Sequence, residues 1–205
     1  MTSRTVYREL ATAGLLLAAY PFDLLSRQSE RFIPPRLGLI HDPVILAHGL
    51  GGSRANFLGF ALYLRMIGFS HIRFFEYSRA QSQSIAESAK RLGTLIEEVA
   101  PAGGVHLIGH SLGGTIARSY TAMAPRGTVR SLITVGSPYS FSQTSPHEIA
   151  IFGDEDPIVP PPPTELMPER MFKQMIVLED TGHLAILYHP ETLRLAASEL
   201  RLNRE

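Results

Sequence analysis

Residues 105–123 constrain this chain more than any other segment. Val105-His106-Leu107-Ile108 is a short apolar run of the kind that forms a strand buried on both faces. Leu112 to Met123 follows a helical pattern, so Gly109-His110-Ser111-Leu112-Gly113 must reverse the chain almost at once. A turn that sharp forces its central residue into strained backbone, and small residues on either side keep strand and helix apart. The product is a serine hydroxyl at the carboxyl edge of a sheet, where α/β folds bind their ligands. As bare letters this motif is weak; the strand before it and the helix after it give it meaning.

The rest of the chain repeats the same alternation. Strands are expected at Val44–Ala47, Ile72–Tyr77, Ser131–Val135, Glu148–Phe152 and Met175–Leu178, beside the one at 105–108. Helices are expected at Ala55–Met66, Ser84–Val99, Leu112–Met123 and Pro190–Leu200, the second opened by a capping box of Ser84 and Glu87. Alternating strands and helices predict an α/β fold: a mostly parallel central sheet flanked by helices on both faces. Only residues 136–147 separate the strand ending at Val135 from the next, too few for a cap domain, so the site should stand open. Pro160 to Pro163 reads as extended loop.

A length of 205 residues favours one catalytic domain, placed at 41–205, behind an apolar segment at 1–40. In that segment the uncharged run Leu10–Phe22 is too short to cross a ~30 Å hydrocarbon core. It has the length of a signal-peptide core, yet Glu9 is out of place ahead of one, and no clean cleavage site follows. Two readings stay open. Residues 1–25 either target the chain or touch a membrane surface, or they pack on the domain as an ordinary helix. Localisation is open between export or membrane association and the cytoplasm.

Composition removes several classes of function. Nineteen basic and 19 acidic residues cancel, so no long-range field recruits nucleic acid. The absence of cysteine excludes disulfides, thiolate metal sites and a cysteine nucleophile. Neither a P-loop nor a dinucleotide fingerprint is present.

A serine hydroxyl becomes a nucleophile only when a base takes its proton. Of eight histidines, His106 lies within a strand and His110 within the turn, so both read as structural. His48 ends the first core strand, and His189-Pro190 reads as the start of the last helix. His183 follows the last strand on a loop that can bring an imidazole to Ser111. The base needs a carboxylate to hold its tautomer. Asp156, in Gly153-Asp154-Glu155-Asp156-Pro157 after the penultimate strand, is the first choice, with Asp154 second and Asp180 third. The glycines of His48-Gly49-Leu50-Gly51-Gly52 allow close approach of backbone N–H groups to a developing oxyanion, with Leu50 and Leu112 as its donors. Phe57, Tyr139, Ile158, Val159 and Leu184 are candidate apolar walls for a substrate, although each serves equally as core.

With these elements in order, the sequence resembles the α/β-hydrolase superfamily, and within it the small lidless bacterial lipases and esterases. Pro43–Phe57, Val105–Gly114, Gly153–Pro160 and Gly182–Tyr188 carry the likeness, which spans about residues 42–200. The resemblance implies a minimal α/β-hydrolase fold without a cap, a triad of Ser111, Asp156 and His183, and oxyanion donors at Leu50 and Leu112. It implies hydrolysis of carboxylic esters, lipid-like and of short to medium acyl chain, with no metal or organic cofactor. Thioesterase, lactonase, amidase or acyltransferase chemistry on the same triad, or a silent ligand-binding protein, are the alternatives.

Overall fold

Side chains along a strand point alternately to opposite faces, and the first core strand shows the consequence. In β1 (Val44–Ala47), Val44 and Leu46 enter one apolar layer while Ile45 and Ala47 enter another. The first layer lies under α2 (Leu58–Met66) and α5 (Pro190–Leu202), through Phe60, Leu64, Ala196 and Leu200. The second lies under α3 (Ile85–Val99) and α4 (Leu112–Met123), through Leu92, Ile96 and Ile116. The sheet is thus covered on both sides, as the continuous apolar runs require. The computed structural model describes residues 1–26, 40–101, 103–139, 147–163 and 172–203.

The other strands are β2 (Ile72–Phe75), β3 (Val105–His110), β4 (Val129–Val135), β5 (Glu148–Gly153) and β6 (Gln174–Leu178). They form one six-stranded sheet in the order β2-β1-β3-β4-β5-β6, with every pairing parallel. From β1 the chain steps outward to β2 and then crosses back to β3. That reversal opens a crevice beyond the carboxyl ends of β1 and β3. The glycine loop after β1 and the sharp turn after β3 both border it.

Element boundaries depart from the sequence reading where pairing or capping decides. The strand expected to reach Tyr77 stops at Phe75, because its neighbour β1 offers partners only as far as Ala47. β3 runs on to His110, because β4 pairs with it up to Val135. The helix expected from Ala55 is two pieces, a 3₁₀ turn at Arg54–Phe57 followed by α2. Ser53 and Asn56 make a reciprocal capping box there, which fixes the tight first turn. The capping box expected at Ser84 is only half made. Ser84 accepts from the Glu87 N–H, but the Glu87 carboxylate pairs with Lys90 Nζ at 2.8 Å.

The N-terminal segment forms a helix, α1 (Ser3–Ser26), which touches the 3₁₀ turn at Arg54–Phe57 and the segment after β6 at Ala185–Tyr188. Among the described residues no helix is long and apolar enough to cross a membrane. Residues 27–39 and 140–146, parts of the segment and the loop considered above, lie outside the described residues.

Candidate active site

Ser111 stands between β3 and α4 with φ 53° and ψ −124°, one of two non-glycine residues with positive φ among those described. Its N–H donates to Val135 O at 3.0 Å, and its own carbonyl accepts from Gly114 N–H at 3.0 Å. Although it occupies the N-cap position of α4, its hydroxyl makes no capping bond, which leaves it to the crevice. The glycines around it are steric necessities. A Cβ on Gly109 would lie 2.4 Å from Gly114 Cα, and one on Gly113 would lie 2.2 Å from Ala47 O. Gly113 is therefore needed against the neighbouring strand β1, while Gly109 separates β3 from α4.

His183 lies on the loop after β6, and its Nδ1 donates to Asp156 Oδ2 at 2.7 Å. Asp156 is buried, and its other oxygen accepts from the N–H groups of Ile158 and Val159, both at 2.8 Å. Three charge-assisted hydrogen bonds hold this carboxylate in one orientation. The rival acids have other work. Asp154 Oδ1 accepts from Thr181 N–H at 3.2 Å, and Asp180 pairs with Arg4. Gly136, at φ 53°, closes over the pair: a Cβ there would come within 3.4 Å of Asp156 Oδ2 and 3.5 Å of His183 Nδ1.

Ser111 and His183 line the same cavity of about 670 Å³, a volume typical of small-molecule sites. Leu50, Leu112, Ile158, Val159 and Leu184 line it too. Leu50 and Ile158 are exposed at its rim. Two expected walls do not. Phe57 is fully buried under the sheet, edge-on to Phe60, because the 3₁₀ turn at 54–57 points it into the core. Tyr139 packs edge-on against Phe152 in a separate apolar cluster. The remaining walls include Ser82, Gln83 and Ile85, which sequence reasoning missed. Strand order holds the missing signal: β2 lies beside β1, so the segment after it must border the crevice.

The loop after β1 brings Gly49 so close that a Cβ there would lie 3.0 Å from Ser111 Cβ. Gly51 takes φ +70°, a conformation that favours glycine. His48 does more than end the strand. Its ring stacks on Tyr77 at 4.4 Å, and the Tyr77 hydroxyl donates to His48 O, fixing the base of the glycine loop. Burial pushes the Tyr77 phenol far above its ordinary value, so it remains a donor. The N–H of Leu112 is the first of α4, where the helix dipole favours negative charge.

His110 is structural in a specific way. Its Nε2 donates to the backbone carbonyl of His183 at 2.9 Å, and the two rings lie 4.7 Å apart. Burial, with the neighbouring His183 ring adding to it, pushes its pKa down to about 3. It is neutral and holds the His183 loop from below. His189 caps α5, accepting from Glu191 N–H at 3.2 Å, as its place before Pro190 foretold. Among the described residues no group of three His, Asp or Glu side chains could hold a metal ion.

The fold defines a class: an α/β-hydrolase. More narrowly, residues 43–177 match the family described as palmitoyl protein thioesterase, and the chain belongs to that family. It is 32% identical over 113 residues to Lipase 1 of Psychrobacter immobilis, covering 53% of this chain and 35% of that one. The chain therefore spans about a third of the length of that relative. Among solved structures it superposes on a serine hydrolase without a lid from Xanthomonas campestris, with a TM-score of 0.62, 22% identity and coverage of 82% and 85%. A membrane phospholipase A superposes with a TM-score of 0.63 at 18% identity, covering 96% of each chain. At these identities the likeness speaks for the fold.

Proposed function

We propose that this protein hydrolyses carboxylic esters of lipid-like acids through an acyl-enzyme on Ser111. The observation that carries this is the His183–Asp156 bond facing the same apolar-walled cavity as a strained, uncapped serine. With Nδ1–H held by Asp156, His183 keeps a lone pair on Nε2 to take the Ser111 proton. Ser111 Oγ then attacks the ester carbonyl, and the N–H groups of Leu50 and Leu112 receive the oxyanion. As the intermediate collapses, the imidazolium returns its proton to the departing alcohol. Water repeats the cycle in reverse roles and frees the acid. The triad and the oxyanion donors of this reading all fall within residues 41–205.

Hydrolysis of p-nitrophenyl esters from about two to sixteen acyl carbons, wild type beside Ser111→Ala, tests the proposal. Expected is turnover by the wild type, and a loss of about 10⁴-fold in kcat on removing the serine hydroxyl. Activity that survives in Ser111→Ala would identify a different nucleophile. A second reading, thioester hydrolysis on the same triad, is favoured by the family description. Acyl thioesters and oxoesters of equal chain length, assayed side by side, distinguish the two through kcat/KM. Serine-dependent transfer to an added alcohol would instead indicate an acyltransferase, and a lactone substrate would reveal a lactonase. An unreactive Ser111 would leave a silent binder.

We further infer peripheral contact with a lipid surface through α1. Supporting it, Val6, Tyr7, Leu10 and Leu17 lie exposed on one helical face. Leu10→Glu/Leu17→Glu should lower co-sedimentation with phosphatidylcholine vesicles several-fold while leaving hydrolysis of a soluble short-chain ester unchanged. Equal sedimentation of variant and wild type would remove the idea.

A further inference from the structure

α1 is inverted relative to a helix that simply completes a core. Thr5 and Thr12 are buried, while Leu10 and Leu17 are about 70% exposed. Much of its hold on the domain is therefore polar, and those bonds converge on the two loops that carry Asp156 and His183. Thr2 N–H donates to the Glu155 carboxylate, one residue before Asp156. Arg8 Nη1 donates to Asp180 O at 3.0 Å, and Arg4 Nη1 to Asp180 Oδ2 at 3.3 Å. Asp180 itself takes φ 49°, so the bend into the His183 loop is strained.

The Glu9 carboxylate makes the most direct contact. It accepts from Leu184 N–H, at 3.0 and 2.9 Å to its two oxygens, and from Ala185 N–H at 2.7 Å. Leu184 follows His183 directly, so these bonds fix the peptide plane on the carboxyl side of the base. On its other side, Gly182 leaves the space that Glu9 fills. A Cβ at Gly182 would lie 2.7 Å from both Cγ and Cδ of Glu9. His110 holds the His183 carbonyl at the same time. The imidazole is thus fixed at its ring by Asp156, at its carbonyl by His110, and at the next two amides by Glu9.

The geometry points to Glu9 as a positioning residue for His183: a carboxylate on the N-terminal helix that sets the ring's aim at Ser111. The inference rests on the triad reading above. Glu9 does not itself line the cavity and acts through the base, so the main part of its effect belongs in kcat. A catalytic group displaced by about 1 Å can lose about 10²-fold in rate. Glu9→Ala should therefore lower kcat on a p-nitrophenyl ester by about 10- to 100-fold, with KM held within about twofold. Glu9→Gln keeps one carbonyl acceptor and should recover part of the loss. Gly182→Ala should push the Glu9 carboxylate off the amides and act like Glu9→Ala, and the double variant should be no worse than either single one.

The experiment measures kcat and KM on active-site-titrated enzyme, together with the rate at which an aryl fluorophosphonate modifies Ser111. That second rate depends on the base and not on knowing the natural ester. A parallel fall in both rates, with KM unchanged and partial rescue by glutamine, supports the proposal. Wild-type kcat and labelling rate per titrated site in Glu9→Ala or Glu9→Gln would overturn it, as would additive losses in the double variant. If Glu9→Ala does not fold, Glu9→Gln and Gly182→Ala decide. Ser111→Ala runs alongside: reaction surviving there would mean that the triad reading had failed, whatever Glu9 does.

Discussion

Ser111 pays about 1–3 kcal/mol for its backbone conformation, as residues in sparsely populated regions do. What offsets the strain is local: bonds to Val135 O and from Gly114, and glycines that let three backbones meet at one point. Gly113 has the tightest main-chain contacts of these, since an added methyl would face the carbonyl oxygens of Ala47 and His48 at 2.2 and 2.4 Å. Both are main-chain atoms of β1 and the loop after it, so neither can swing away as a side chain tip would. Gly113→Ala should therefore shift the end of β1, costing about 1–3 kcal/mol or more in urea unfolding. Because the same movement carries Gly49 and Leu50, ester turnover should fall further than the loss of folded protein explains. A midpoint within error of the wild type would show that the junction has slack.

At the scale of elements, the regular parts were legible because each rests on a short local pattern. Four-residue apolar runs announced β1 and β3, and the α4 limits follow from the turn before it and the 3.6-residue period after it. The candidate site was legible for the same reason, since the segments around Ser111, Asp156 and His183 each follow a strand. What the chain does not announce are contacts between distant segments with no local signature. Glu9 reaches amides 175 residues away, and from sequence it only looked misplaced before an apolar run. Arg118 had no assigned role on its helix, yet it is fully buried, with Nε and Nη2 on the Glu148 carboxylate at 2.8 and 2.7 Å. A third bond, Nη1 to Pro138 O at 2.7 Å, ties α4 to the chain leaving β4. Phe57 failed for the opposite reason. Its spacing fitted both a cavity wall and a core position, and only the 3₁₀ turn selects between them.

Across the whole molecule, 19 basic residues balance 19 acidic ones, so no general self-repulsion sets the response to pH near neutrality. Specific buried groups set it instead. Burial pushes His106 down to about 4 and His110 down to about 3, against an ordinary histidine value near 6.5. Each has one buried ring nitrogen, His106 Nε2 and His110 Nδ1, without a hydrogen-bond partner among the described residues, so a second proton finds no acceptor among them. An unfolded chain takes up both protons as pH falls through about 6.5, whereas the folded chain refuses them until about 4 and about 3. The unfolded state thus binds more protons in that window, and stability must fall as pH falls. The contribution is complete above about 6.5 and shrinks by about 1.4 kcal/mol per pH unit for each histidine. Together they give a slope of about 2.7 kcal/mol per unit between roughly pH 6 and 4.5. Glu155 and Glu191, whose values are lowered by hydrogen bonds, lose their contribution only below the ordinary carboxylate range, so the two effects separate. Urea unfolding at half-unit steps from pH 7.5 to 4.5 should show that slope. His106→Asn, which can keep the bond that His106 Nδ1 makes with Ser131 Oγ at 3.0 Å, should remove about half of it. A wild-type profile flat to pH 5 would mean that both rings can charge inside the fold. The link from His110 to the His183 carbonyl stands in either case, because Nε2–H donates whether or not Nδ1 is protonated.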